Sequence, residues 1–235
     1  IGMLSALGYE FLDENGAPLP PVFFSLEKVT QIKNDHVPEA LKDCHFQIAC
    51  DVTNPLCGEQ GCVYVFGPQK GVKEEEKESM DRAMQSYAAR LEQFIGKKLS
   101  HLPGTGAAGG LGFAFLWGLP KAELKPGIDI VLEAIGLRNE LQDADIVVTG
   151  EGCLDFQTAM GKVPVGVAQA AKNYNCKVIA FAGNVTEEAK KCNEKGIDAF
   201  FSILPGVCSL DEAMDTETAQ KNMRNTAEQV FRLLV

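Results

Sequence analysis

Positive charge is what this sequence is short of. Twenty-two Lys and Arg face 32 Asp and Glu, for a formal net charge of −10. A nucleic-acid footprint needs clustered basic residues, so no nucleic-acid partner is expected. Long hydrophobic runs are missing too. None approaches the ~20 apolar residues that span a bilayer, so no membrane partner is expected. No basic-then-apolar leader opens the chain, which makes the cytoplasm the expected compartment. Among the eight cysteines (44, 50, 57, 62, 153, 176, 192 and 208) no C-x₂-C pair occurs. Structural zinc is therefore not expected. Most of the thiols read as reduced, small, buried apolar residues.

Other things are present in quantity. The hydrophobic share of 46% is too high for a disordered chain. The 235 residues suffice for one large domain or two small ones. Glycine occurs 23 times, in clusters, and packed glycines let backbone N–H groups approach anions.

The C-terminal half carries three short apolar runs: Asp145 to Thr149 stopped by Gly150, Cys176 to Ala182 stopped by Gly183, and Ala199 to Leu204 stopped by Pro205-Gly206. Such runs suit strands buried on both faces. Helical segments at Val163–Tyr174 and Thr186–Lys195 separate them, and a final helix runs from about Asp211 to Leu234. Strand–helix–strand–helix–strand predicts parallel strands in a doubly wound α/β sheet.

The N-terminal half predicts a helix tail at Gly2–Leu7, then Tyr9–Leu12 running into a hairpin-like turn at Asp13–Gly16. Strands are expected at Phe46–Cys50 and Val63–Phe66. A helix follows, with Met80, Met84, Tyr87, Leu91 and Phe94 on one stripe. Leu124-Lys125-Pro126-Gly127 reads as a joint, dividing the chain into residues 1–125 and 126–235.

Four clusters could carry chemistry. In Asp51-Val52-Thr53-Asn54-Pro55, after a strand, an acid, a hydroxyl and an amide can hold a metal or a substrate hydroxyl, or simply form an Asx turn. In Gly67-Pro68-Gln69-Lys70-Gly71, a lysine between glycines precedes a helix N-terminus, which is either a phosphate site or a surface turn. The run from Gly104 to Gly112, including Gly106, Gly109 and Gly110, matches G-x-G-x-x-G but lacks the preceding strand that dinucleotide binding requires. We read it as a backbone cradle for an anion, with close helix packing as the alternative. The last cluster, Thr149-Gly150-Glu151-Gly152-Cys153-Leu154-Asp155-Phe156-Gln157-Thr158 with Gly161-Lys162, leaves a buried parallel strand, where open α/β sheets bind ligands. Together the acids, lysines and cradles suggest phosphoryl transfer, which needs a metal, cations and an acid for the hydroxyl proton.

In this order the four clusters resemble the type I glycerate kinases of bacteria, over nearly the whole chain. The resemblance implies two α/β domains with the active site between them. It also implies ATP-dependent phosphorylation of D-glycerate at the 2-hydroxyl, with Mg²⁺. Roles implied are catalytic for Asp51, Asp155, Lys70 and Lys162, and substrate or phosphate binding for Asn54, Gln69, Gly104, Gly106, Gly109, Gly110, Glu151, Gln157 and Thr158. Asp51 and Glu151 would serve the metal. The family carries an N-terminal third that this chain lacks, so the chain on its own is expected to show little kinase activity. Two other readings stay open: a kinase of another small sugar acid, and a non-catalytic anion-binding module.

Overall fold

A computed structural model describes residues 1–234. The chain forms two compact units, Ile1–Gly127 and Ile128–Val235. No helix among the described residues is long and apolar enough to cross a membrane.

The first unit opens with helix α1 (Gly2–Ala6) and strand β1 (Glu10–Leu12). The turn after β1 forms around Asp13, whose carboxylate accepts the N–H groups of Asn15 and Ala17 at 2.9 Å. It returns to a single bridge, Leu12 to Pro18, because Pro18, Pro20 and Pro21 have no N–H to continue a ladder. The antiparallel partner of β1 is instead β2 (Gln31–Lys33), with Phe11 opposite Ile32. Strand β3 (Phe46–Ala49) pairs in parallel with β4 (Ala122–Lys125).

The strand expected at Val63–Phe66 is helix α2 (Cys62–Phe66). A short apolar run fits either conformation, and here the tertiary core decides, burying Cys62 and Val63. The long helix α3 (Glu74–Ile95) buries Ala83, Met84, Tyr87, Ala88 and Leu91. They pack with Phe113, Ala114 and Trp117 of α4 (Ala107–Gly118). The Trp117 indole N–H donates to the Leu91 carbonyl at 2.6 Å, which satisfies the one polar atom of a large buried ring. Phe94, at the end of the expected stripe, is 43% exposed.

One acid pins the exit from α3. Glu92 Oε1 accepts the N–H groups of Leu99 and Ser100, both at 2.7 Å. Partial desolvation pushes its pKa up, but the two N–H donors outweigh it and hold the carboxyl below its ordinary 4.5. A depressed folded pKa stabilises the fold fully above the unfolded value, and the contribution disappears as pH falls through the folded one. The denaturation midpoint of the first unit should therefore decline below about pH 4.5. In Glu92→Gln that decline should be shallower. Identical slopes in wild type and variant would refute the assignment.

Helix α5 (Gly127–Ala134) starts on the last residue of the first unit, and the second unit continues with α6 (Leu137–Glu140), β5 (Ile146–Leu154), α7 (Phe156–Ala159), α8 (Val163–Lys172), β6 (Lys177–Val185), β7 (Ala199–Ser202), α9 (Leu210–Met214) and α10 (Thr216–Phe231). The sheet order is β5-β6-β7, all parallel. Val178, Ala180 and Ala182 of β6 face Val165, Ala168 and Ala171 of α8, with Ala189 and Cys192. Two successive crossovers stepping the same way along the sheet bring their connections to one face. The other face, with Ile179 and Phe181, packs against Ile203, Ala227 and Val230.

Three expectations are corrected here. Gly150 and Gly183 do not stop their strands, which continue to Leu154 and Val185. At Gly150 a Cβ would lie 2.2 Å from the Phe181 carbonyl oxygen, so this glycine permits close strand approach rather than a turn. The Glu187–Lys195 segment is a 3₁₀ helix rather than α. The final helix is split, because Asp215 ends α9 and caps α10, accepting the Thr218 N–H at 2.9 Å. Of the cysteines, Cys62, Cys176 and Cys192 are buried, while Cys44 and Cys208 are exposed. All eight are free thiols, so burial accounts for fewer of them than expected.

Candidate functional site

In the second unit the outer half of β5 leads into a linked group of polar side chains. Asp155 sits at the N-cap of α7, an arrangement its short acidic side chain favours. Its Oδ1 accepts the N–H groups of Gln157 at 2.9 Å and Thr158 at 3.1 Å. Lys162 Nζ lies 3.7 Å from the same oxygen. Some desolvation opposes ionisation of Asp155. The N–H donors of Thr158 and Gln157, with Lys162 nearby, prevail and lower its pKa from 3.8. The Asp155 N–H donates to Thr158 Oγ1 at 3.1 Å, and the Thr158 hydroxyl donates in turn to Glu151 Oε1. One hydroxyl thus ties Glu151 to Asp155.

Thr158 is fully buried, and its hydroxyl is turned onto Glu151. Gln157 and Lys162 are exposed. Thr158→Val would leave the Glu151 carboxylate and the Asp155 N–H without this partner. Each such loss costs about 1–3 kcal/mol. The urea midpoint of the second unit should fall accordingly, and Thr158→Ser should restore most of it. Equal midpoints for the Val and Ser variants would exclude the bridge.

Sequence reasoning missed the cavity beside this group. About 840 Å³ opens at the carboxyl ends of the three strands, lined by Glu151, Asn184, Leu204, Leu210 and Met214 among others. Its walls come from segments between Val148 and Met223, a span no local motif covers. The one available signal was the edge itself, where open α/β sheets take ligands.

In the first unit the expected residues separate by role. Asp51 Oδ1 accepts the Gly127 N–H at 2.8 Å, a bond within the first unit between the residues after β3 and the unit's last residue. The Asn54 amide donates to the Gln60 carbonyl at 2.8 Å, and its own carbonyl accepts the Gly106 N–H at 3.0 Å. Asn54 therefore braces its loop. Gly104 and Gly106 are buried. A Cβ on Gly104 would lie 2.9 Å from Cys50 Sγ, and one on Gly106 2.2 Å from the Pro55 carbonyl oxygen. Both are closely packed, and the Gly106 N–H is taken up by the Asn54 backbone carbonyl.

Gly109 differs. It is exposed at φ +69°, between Ala108 at +50° and Gly110 at +96°. A left-handed alanine is strained by about 1–2 kcal/mol, and such strain gathers at functional turns. Lys70 Nζ lies 3.9 Å from where a Gly109 Cβ would be, so the expected lysine and this turn do meet. Gln69 is exposed on the 3₁₀ turn before it. Helix α3 begins three residues after Gly71. Glu74, Glu75 and Glu76 fill its first turn, and Glu76 accepts the Lys73 N–H at 3.0 Å.

Asp81 was also missed. It is 4% exposed, and its carboxylate accepts the Gly58 N–H at 3.0 and 3.1 Å and the Gln85 amide at 2.7 Å. The i, i+4 Asp–Gln spacing was the only local clue. Burial first, then Asp81, pushes the Cys57 thiol up to about 12 and Cys62 to about 11. Both stay neutral, behaving as small apolar residues.

Parallel strands that lead into a bonded group of acids, a hydroxyl and a lysine beside a cavity make this an α/β protein whose candidate site is the sheet edge. The model of the glycerate kinase family matches residues 1–235, and the chain belongs to that family. Glycerate kinase of Bacillus subtilis is 42% identical over 229 residues, 97% of this chain and 59% of its own. Glycerate 2-kinase of Escherichia coli is 42% identical over 212 residues, 90% of this chain and 55% of its own. A crystal structure of a protein assigned as glycerate kinase 2 from Salmonella typhimurium LT2 superposes with a TM-score of 0.81 at 41% identity, over 99% of this chain and 60% of that one. The chain thus spans about 60% of the length of the relatives it matches.

Proposed function

We propose that this chain belongs to a cytoplasmic enzyme that transfers the terminal phosphoryl group of ATP to the 2-hydroxyl of D-glycerate, giving 2-phosphoglycerate. The observation that carries the reading is the Glu151–Thr158–Asp155–Lys162 group at the carboxyl end of a parallel strand. The name of the Escherichia coli relative, a glycerate 2-kinase, supports the choice of hydroxyl. Phosphoryl transfer relies on positioning and charge more than on covalent chemistry. Lys162, near Asp155, supplies a cation for the transferring group. Asp155, held ionised by its N–H donors, receives the hydroxyl proton. Lys70 with the Ala108–Gly110 turn offers a second place for an anion, suited to the glycerate carboxylate or a phosphate.

Mg²⁺ takes one or two carboxylates, waters and substrate phosphates rather than an all-protein cage. The donor set fits such an ion. Among the described residues no group of three or more His, Cys, Asp or Glu forms a metal cage. Glu151 Oε2 and Asp155 Oδ2 take no part in the bonds described above. Glu151 would hold the ion, with Asp155 as the further carboxylate, and the ion would neutralise charge between phosphates. Thr158 keeps the Glu151 carboxylate oriented.

The test is incubation of ATP with D-glycerate and the protein that carries this chain in full, with ³¹P NMR of the product. 2-Phosphoglycerate is expected. Product from another hydroxy acid but none from glycerate would reassign the substrate. No transfer to any hydroxy acid would leave an anion-binding module.

A further inference from the structure

We propose that the cavity at the carboxyl ends of β5, β6 and β7 holds the nucleoside half of the nucleotide. The proposal rests on the kinase reading, which requires two ligands of opposite character. One is a three-carbon acid, small and polar at every carbon. The other carries a flat, weakly polar base and a ribose.

The cavity discriminates between them by size and by charge. Its volume of about 840 Å³ lies in the usual range for sites of drug-sized ligands, roughly 300–1,000 Å³. A three-carbon acid would leave most of it empty. Glu151 is the single charged residue in its lining. Glycerate placed there would meet a like charge and no cation, which disfavours it. A base and ribose carry no charge.

The walls suit a base. Val148, Leu210, Met214 and Met223 line the cavity while 49%, 76%, 73% and 39% exposed. They offer the apolar wall area that a flat base needs. Methionine adapts to flat ligands and makes favourable contacts with aromatic rings. The polar groups also converge. The Asn184 amide reaches only a weak acceptor, Cys153 Sγ at 3.5 Å, and is free to exchange it for a ring nitrogen of the base. Glu151 lines the same cavity from β5.

The direction of the phosphates follows. Thr158 links Glu151 to Asp155, and Lys162 lies 3.7 Å from Asp155. A nucleoside seated against Glu151 would direct its phosphates along the loop toward Lys162, the cation proposed for the transferring group.

The fold supplies its own reporter. Cys208 lines the cavity and is exposed, while exposed Cys44 lies in the other unit and serves as reference. The protein that carries this chain in full is alkylated with iodoacetamide alone, then with adenosine, AMP, ATP or D-glycerate, and both cysteines are quantified by peptide mass spectrometry. Saturating adenosine should slow Cys208 alkylation about fivefold or more by restricting access, with Cys44 unchanged. D-Glycerate should protect neither. Ala213→Trp fills the cavity from its wall and should abolish both the protection and the binding of labelled adenosine in equilibrium dialysis. A thermal melt shows that the variant is folded.

No protection or dialysis binding by adenosine, AMP or ATP would overturn the assignment. So would equal protection by D-glycerate, or adenosine binding retained in folded Ala213→Trp. Adenosine protection in a protein that transfers no phosphoryl group would overturn the kinase reading and leave the cavity assignment standing. Phosphoryl transfer without adenosine binding here would do the reverse.

Discussion

Gly106→Val should melt the first unit well below the wild type. A Cβ at this position would lie 2.2 Å from the Pro55 carbonyl oxygen and 3.1 Å from that of Asn54. Both obstacles are backbone, and neither can swing aside. The Gly106 N–H also donates to Asn54 at 3.0 Å, so a shift that relieves the clash strains this bond. Overpacking costs typically about 1–3 kcal/mol, more where nothing yields. At roughly 2–4 °C per kcal/mol for chains of this size, the melting temperature should drop by about 5–10 °C. Gly109→Ala is the contrast. Its Cβ would meet only Lys70 Nζ, at 3.9 Å, so it adds just the strain of a left-handed alanine, about 1 kcal/mol. Thermal scans of both variants measure the difference. If Gly106→Val melted like the wild type, the packing assignment would fail and the cradle reading would return.

Asp155→Asn should lower turnover at least about a hundredfold in the protein that carries this chain in full, equivalent to about 2.7 kcal/mol of transition-state stabilisation. The substitution isolates charge. Asparagine is as good an N-cap as aspartate, so the bonds from the Gln157 and Thr158 N–H groups and the start of α7 should survive. What disappears is the anion beside Lys162 and the acceptor for a hydroxyl proton. Unchanged circular dichroism with a hundredfold slower ³¹P-monitored transfer is the expected pair of results. Asp51→Asn is the companion variant, because its cap on Gly127 should likewise persist. If both variants turned over at near wild-type rates, the acids would have to be sought elsewhere, with Glu151 next in line.

The residues that were legible in the sequence are those whose behaviour depends on near neighbours. The apolar runs around Val147, Ile179 and Phe200 announced parallel strands, because a strand buried on both faces must be apolar along its length. The stripe through Met84, Tyr87 and Leu91 announced α3, because 3.6-residue periodicity is a property of one segment. The order of the four motifs pointed to the glycerate kinase family, and the family match over residues 1–235 agrees.

Tertiary structure decided the rest. Val63 to Phe66 could pair or coil, and the core against α3 and α4 made it a helix. Gly106 and Gly109 belong to one glycine run, yet Pro55, some fifty residues earlier, crowds the first while the second stays open beside Lys70. Burial turns the Thr158 hydroxyl inward onto Glu151, seven residues away. The cavity is assembled from residues between Val148 and Met223, and only the winding of the sheet brings them together. Spacing along the chain encodes local conformation. Which distant backbone lies within 3 Å of a given atom is settled when the elements pack, and here that distance separates a packing glycine from an exposed one.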